Sequence, residues 1–147
     1  MAIETAAAPL PLGAVPLART AMDRYIASNG PSVIAEFPMP SPYDIPRFDP
    51  YYEFFSRHHW RPLINGYSGY HSQGHVEVVE AMQTFPDDAS IALLRKLNVR
   101  FIVVHEHLYE AQDFADLMLR IARRSELVPH GRFPDWRGDG YLFELRR

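Results

Sequence analysis

The amino-acid sequence predicts an α/β domain: a mixed, mostly parallel sheet of four or five strands with helices packed on it, closed by an antiparallel hairpin. Three observations carry this. Residues 100–105 (Arg-Phe-Ile-Val-Val-His) form a continuous apolar run, which suits a central strand buried on both faces. Beyond it, Phe114, Leu117, Met118, Ile121 and Ala122 fall at i, i+3, i+4, i+7 and i+8, the stripe of an amphipathic helix. Strand-like segments at residues 126–133 and 141–145 then read as a terminal hairpin around a loop at residues 134–140.

The remaining elements follow in chain order. Residues 1–15 are apolar and alanine-rich, and Pro9 and Pro11, with Pro16 just beyond, make them an extended arm. Such a start suggests a chain cut from something larger, or an arm laid over the domain. Leu17, Ala21, Met22, Tyr25 and Ile26 recur at helical spacing from Pro16 to the stop signal Asn29-Gly30, predicting a helix over 16–28. Val33 to Phe37, bounded by Pro31 and Pro38, reads as a strand. From 38 to 62 no period holds; Pro38, Pro40, Pro42, Pro46 and Pro50 break regular structure, and Tyr43, Phe48, Tyr51, Tyr52, Phe54, Phe55 and Trp60 fill a long loop. Residues 61–66 suggest a short second strand. Val76, Val79 and Met82 place a helix ending near Phe85-Pro86, and Asp87 or Asp88 caps the next, whose inner face is Ile91, Leu94 and Leu97. Asn98 is its left-handed terminator.

Composition bounds the function. The 147 residues fit a single domain, here 16–147 behind the arm. A net charge of −3 gives no general attraction for nucleic acid. The absence of cysteine excludes disulfides and thiolate metal sites. No apolar run approaches the roughly 18–20 residues of a membrane span. Lys96 stands against fourteen arginines, which a GC-rich genome explains more readily than anion binding.

Chemistry-bearing motifs are few. There is no Gly-x-Ser-x-Gly elbow, no P-loop and no Gly-x-Gly-x-x-Gly turn. No catalytic residue and no cofactor is assigned. His71 and His75 stand four apart, but Ser72 replaces the glutamate that a helical zinc motif needs. His105 and His107 lie at the carboxyl end of the central strand, where ligands favour open α/β sheets. With His58 and His59 they define one alternative, a metal-assisted hydrolase. A structural or partner-binding domain is another, with an exposed apolar patch near residues 1–17 as its mark. The most distinctive stretch, residues 54–70, interleaves aromatic rings with Arg57, Arg61 and Asn65. Rings that stack on sugars, with polar groups to fix hydroxyls, suit a glycan; the same mixture also suits phosphate or plain packing.

The block His59-Trp60-Arg61-Pro62-Leu63-Ile64-Asn65-Gly66-Tyr67-Ser68-Gly69 lies between Val33-Ile34-Ala35-Glu36-Phe37-Pro38 and Leu97-Asn98-Val99-Arg100-Phe101-Ile102-Val103-Val104-His105. With Ala8-Pro9-Leu10-Pro11-Leu12, the Phe85-Pro86 step and the closing strand at 141–145, this order resembles the soluble C-terminal domain of bacterial GT-C type polytopic glycosyltransferases, which are related to dolichyl-phosphate-mannose mannosyltransferases. The resemblance spans residues 6–145, and the block 59–69 is its most specific part. It implies a domain following the last transmembrane helix, on the extracytoplasmic side of the bacterial cytoplasmic membrane. The parent's transmembrane portion would be its partner and a glycan or lipid-linked sugar its ligand. The catalytic carboxylate would lie in an early loop outside this chain. Candidate ligand contacts are His59, Trp60, Arg61, Asn65, Tyr67 and His105. The chain departs from the pattern after Gly69, where Tyr70-His71-Ser72-Gln73-Gly74-His75 replaces a proline-containing aromatic turn.

Overall fold

A computed structural model describes residues 17–41, 43, 48–66, 72–135 and 138–146. The arm expected over residues 1–15 lies outside them. Helix α1 (Ala21–Ser28) leads to strand β1 (Val33–Phe37), and helices α2 (Asp49–Ser56), α3 (Gln73–Met82) and α4 (Asp88–Lys96) follow. Strand β2 (Val99–His105), a 3-10 turn at Glu106–Leu108, helix α5 (Ala111–Ala122) and the hairpin β3 (Leu127–Pro134) and β4 (Asp139–Leu145) complete the order.

The four strands form one mixed sheet in the order β1-β2-β4-β3. β1 and β2 are parallel, while β4 is antiparallel to both β2 and β3. Three strands therefore run the same way, and β4 inserts between two of them. The helical connection from β2 to β3 skips one position instead of placing the strands side by side, because the hairpin returns β4 into the gap.

Local chemistry sets the helix ends. Thr20 caps α1: its hydroxyl accepts the Asp23 N–H at 3.1 Å, and the Asp23 carboxylate accepts the Thr20 N–H at 2.7 Å. Asp87 accepts the Ser90 N–H at 2.8 Å at the start of α4, and Asn98 ends that helix at φ 57.

Three expectations change. The helix expected over 16–28 begins only at Ala21, because Thr20 is its cap and has extended backbone. The long loop over 38–62 contains α2. Its first turn carries Pro50, which is compatible there because that N–H has no helical partner, and no proline follows until Pro62. The strand expected over 61–66 shrinks to a single parallel bridge between Ile34 and Leu63, with the Ile34 N–H donating to Pro62 O and the Ile64 N–H to Ile34 O, each at 2.9 Å.

Strand alternation gives the sheet two buried faces. Ala35, Phe37, Ile102, Val104 and Phe143 face a core completed by Met82, Phe85, Ile91, Leu94, Leu117 and Ile121 from the helices and their connections. Ile34, Phe101, Val103 and Leu142 face a smaller core with Met22 and Ile26 of α1. Gly140 allows α1 to approach, since a Cβ there would meet Met22 Cε at 3.1 Å. The Tyr25 hydroxyl bonds His130 Nδ1 at 2.7 Å, and His130 Nε2 reaches Glu144 Oε2 at 2.8 Å, tying α1 to β3 and β4.

Candidate functional site

The smaller core turns polar at the carboxyl ends of β1 and β2. Two residues beyond Ile34 comes Glu36, and two beyond Val103 comes His105, so the period of two puts both on the face of α1. Both are buried. Glu36 Oε2 bonds His105 Nε2 at 2.5 Å, and Asp135, just after β3, bonds His105 Nδ1. The Asp135 N–H donates to Gly138 O at 2.9 Å, and a Cβ on Gly138 would lie 2.9 Å from His107 Cβ. The Asp135–Gly138 bond and the close approach of Gly138 to His107 thus keep Asp135 against the end of β2. Tyr52 of α2 stacks on the His105 ring, with centroids 5.1 Å apart and planes within 15°, and its hydroxyl donates to Pro38 O at 3.1 Å.

Burial disfavours charge on His105, but the hydrogen bonds and charges of Asp135 and Glu36 outweigh it and hold the imidazole up at about 9. At neutral pH the trio is an imidazolium between two carboxylates. Burial also pushes the Tyr52 phenol well above its ordinary range.

His59 occupies the next position around the site and is also buried. Its Nδ1 accepts the Arg61 N–H at 3.1 Å, so in the neutral ring the proton sits on Nε2. Burial lowers the His59 pKa, and protonating Nδ1 would break the Arg61 bond. Its neighbour His58 meets Asp23 Oδ2 at 3.3 Å. The Arg61 guanidinium donates to Ala27 O at 2.7 Å and so ties this segment to the end of α1.

Asn65 has a different task. Its Oδ1 accepts the Glu36 N–H at 2.8 Å and its Nδ2 donates to Glu36 O at 2.9 Å, so its amide replaces a neighbouring strand at the edge of β1. It also bonds Asp49, whose carboxyl burial raises and this bond partly restores. Trp60 is 84% exposed at φ 54 and stays outside the cavity described next. Tyr67 lies outside the described residues.

Glu36, Tyr52, His59, His105 and Asp135 line one cavity of about 430 Å³ together with the first turn of α1, with Met22 and Phe55 as apolar wall. That volume is within the roughly 300–1,000 Å³ of small-molecule sites. The four histidines of the hydrolase alternative do not converge. His58 is taken by Asp23 and both ring nitrogens of His105 by carboxylates, and among the described residues no group of three or more His, Asp or Glu is arranged to hold a metal ion.

Of the sequence-predicted residues, His59 and His105 meet in the cavity, while Arg61 and Asn65 build its frame. Glu36, Asp135, Tyr52 and Asp23 were not selected from the sequence. Glu36 had a signal: a carboxylate inside an apolar strand requires a buried partner. Asp135 and Tyr52 had none, since only the fold brings them to His105. No family model, curated protein or solved structure matches this chain.

Proposed function

We propose that this chain is a non-catalytic extracytoplasmic domain of a membrane glycosyltransferase-like protein, and that its cavity contributes to acceptor or glycan binding. The observation that carries the reading is the cavity itself, which combines carboxylate acceptors, a neutral imidazole donor and the rings of Tyr52 and Phe55 within a single-sugar scale of space. Its position at the carboxyl ends of β1 and β2 is where ligands settle on open α/β sheets. The non-catalytic part is supported by His105. With each ring nitrogen held by a carboxylate, it has no lone pair for a substrate proton or a metal. Attachment to a transmembrane portion, and a periplasmic or outer-face location, rest on the resemblance of residues 6–145. Among the described residues no helix is long and apolar enough to cross a membrane, so on this reading the spans belong to the parent protein.

The test is an amide chemical-shift titration of the isotopically labelled chain against a panel of methyl glycosides, short oligosaccharides and a short-chain isoprenyl monophosphate. Saturable shifts centred on Glu36, His59 and His105 are expected from at least one member. A flat response across the panel from a folded protein rejects the binding role and favours a structural or partner-docking domain.

A further inference from the structure

We infer that the sugar this cavity takes is an acidic one: a ring bearing an oxyanion, carboxylate or phosphate ester, that sets its charge on the first turn of α1 and a ring hydroxyl on Glu36. This deepens the glycan-binding reading above and rests on it.

The reason lies in donors without acceptors. His59 is buried, its Nδ1 accepts the Arg61 N–H, and its Nε2 proton has no acceptor among the described residues. Met22 is buried too, and neither its N–H nor that of Ala21 has an acceptor among them. The capping box explains this: Thr20 and Asp23 accept from each other's N–H, and the two N–H groups between them are passed over. Buried N–H groups are rarely left unpaired. All three donors belong to residues that line the same cavity. Successive N–H groups at a helix start suit the oxygens of one anion, and the His59 N–H adds a donor from the other wall.

Charge at the same turn agrees. Arg19 and Arg24 line the cavity from exposed positions. The Arg24 guanidinium donates to Arg19 O at 2.9 Å, and that of Arg19 makes no bond among the described residues. Guanidinium forks match carboxylate and phosphate oxygens. The Asp23 carboxylate faces Thr20 and His58 and offsets the helix dipole, so the N–H donors and the two arginines provide the attraction. On the sheet side the polarity reverses. Glu36 bonds His105 through Oε2 at 2.5 Å, while Oε1 takes no hydrogen bond among the described residues and accepts from a hydroxyl. A bare oxyanion leaves that acceptor unused, and a neutral sugar leaves the arginines without a counter-charge. A ring that carries both groups uses both sides.

The experiment titrates the 147-residue chain in parallel with a methyl hexoside, the matching uronic acid methyl glycoside, the hexose 6-phosphate and inorganic phosphate, followed by amide shifts and calorimetry. At least one acidic sugar should bind about tenfold more tightly than the neutral one, with shifts at Ala21, Met22 and His59. Which of the two binds tighter tells carboxylate from phosphate. Ala21→Pro removes one donor where proline fits, at an exposed first helical residue behind a Thr20 with ψ 171. Arg19→Gln with Arg24→Gln removes charge from two exposed side chains. Each variant should narrow the gap between acidic and neutral sugar by about fivefold, with thermal melts showing that both fold. Acidic and neutral sugars of equal affinity overturn this inference and leave the glycan reading standing. An acidic preference undiminished in both variants overturns the assignment to α1. Inorganic phosphate as tight as the acidic sugars makes the ring superfluous, and binding by none of the four rejects the glycan reading; either result takes this inference with it.

Discussion

His105 is held by two carboxylates and an aromatic ring, and its charge state couples the site to stability. Glu36 faces it from β1, Asp135 from the hairpin loop and Tyr52 from α2; His59 completes the lining. In the unfolded chain a histidine titrates near 6.5. In the folded protein burial opposes the proton, but Asp135 and Glu36 keep it bound up to about 9. Below about 6.5 both states carry the proton, and the stabilisation is fully present. As pH rises the unfolded state loses its proton first, the folded state then binds more protons, and stability falls until pH passes 9. The loss is on the order of 3 kcal/mol across that window. Urea denaturation at pH 6, 7.5 and 9.5 should show the decline in the native chain and a flatter profile in His105→Gln; parallel profiles would show that the trio does not hold the proton. His105 itself was legible as a polar residue ending an apolar strand. Trp60 stood beside His59 and Arg61 in the same distinctive block, yet the structure turns it outward. Composition marks a block as unusual without saying which side chains turn inward.

At the scale of elements, the edge of β1 decides how well the site is held. Residues 34 and 36 present their backbone groups away from β2. Ile34 finds Pro62 and Ile64, while among the described residues Glu36 finds the Asn65 amide. Asn65→Ala would leave a buried N–H and a buried carbonyl unpaired, each costing about 1–3 kcal/mol. It would also remove a hydrogen bond from Asp49, whose carboxyl burial already raises. We expect a loss of about 2–5 kcal/mol in chemical denaturation, with Asn65→Asp less damaging at low pH, where a protonated side chain again offers a donor and an acceptor. Equal loss in both variants at all pH values would show that the side chain fills space only. The stripe from Phe114 to Ala122 marked α5 but not its first turn, which begins at Ala111, while β2 and α4 were legible within one or two residues. α2 was not, because five prolines up to Pro50 hid a proline-free segment behind them. The Asn65 splint has no sequence signature either, since a side chain imitating a strand leaves the backbone pattern irregular.

For the whole molecule, β2 is the member shared by everything else. Phe101 and Val103 belong to the smaller core beneath α1, and Ile102 and Val104 to the larger core beneath α4 and α5. The same strand pairs with β1 on one side and β4 on the other and ends in His105. Neither face can lose its order without loosening the strand that supports the other, so the described elements should unfold together. Phe101→Ala tests this from the smaller face. The ring is fully buried and touches Tyr25 edge-on at 6.1 Å between centroids. Its removal should cost about 3–5 kcal/mol and lower the melting temperature by on the order of 10 °C for a chain of this length. Far-UV circular dichroism, dominated by helices on the larger face, should fall at the same temperature as the amide signals of Met22 and Ile26 in α1. If α1 instead melts first while the α4 and α5 signals keep their native midpoint, the two cores are separate cooperative units, and the cavity beneath α1 can open without unfolding the sheet.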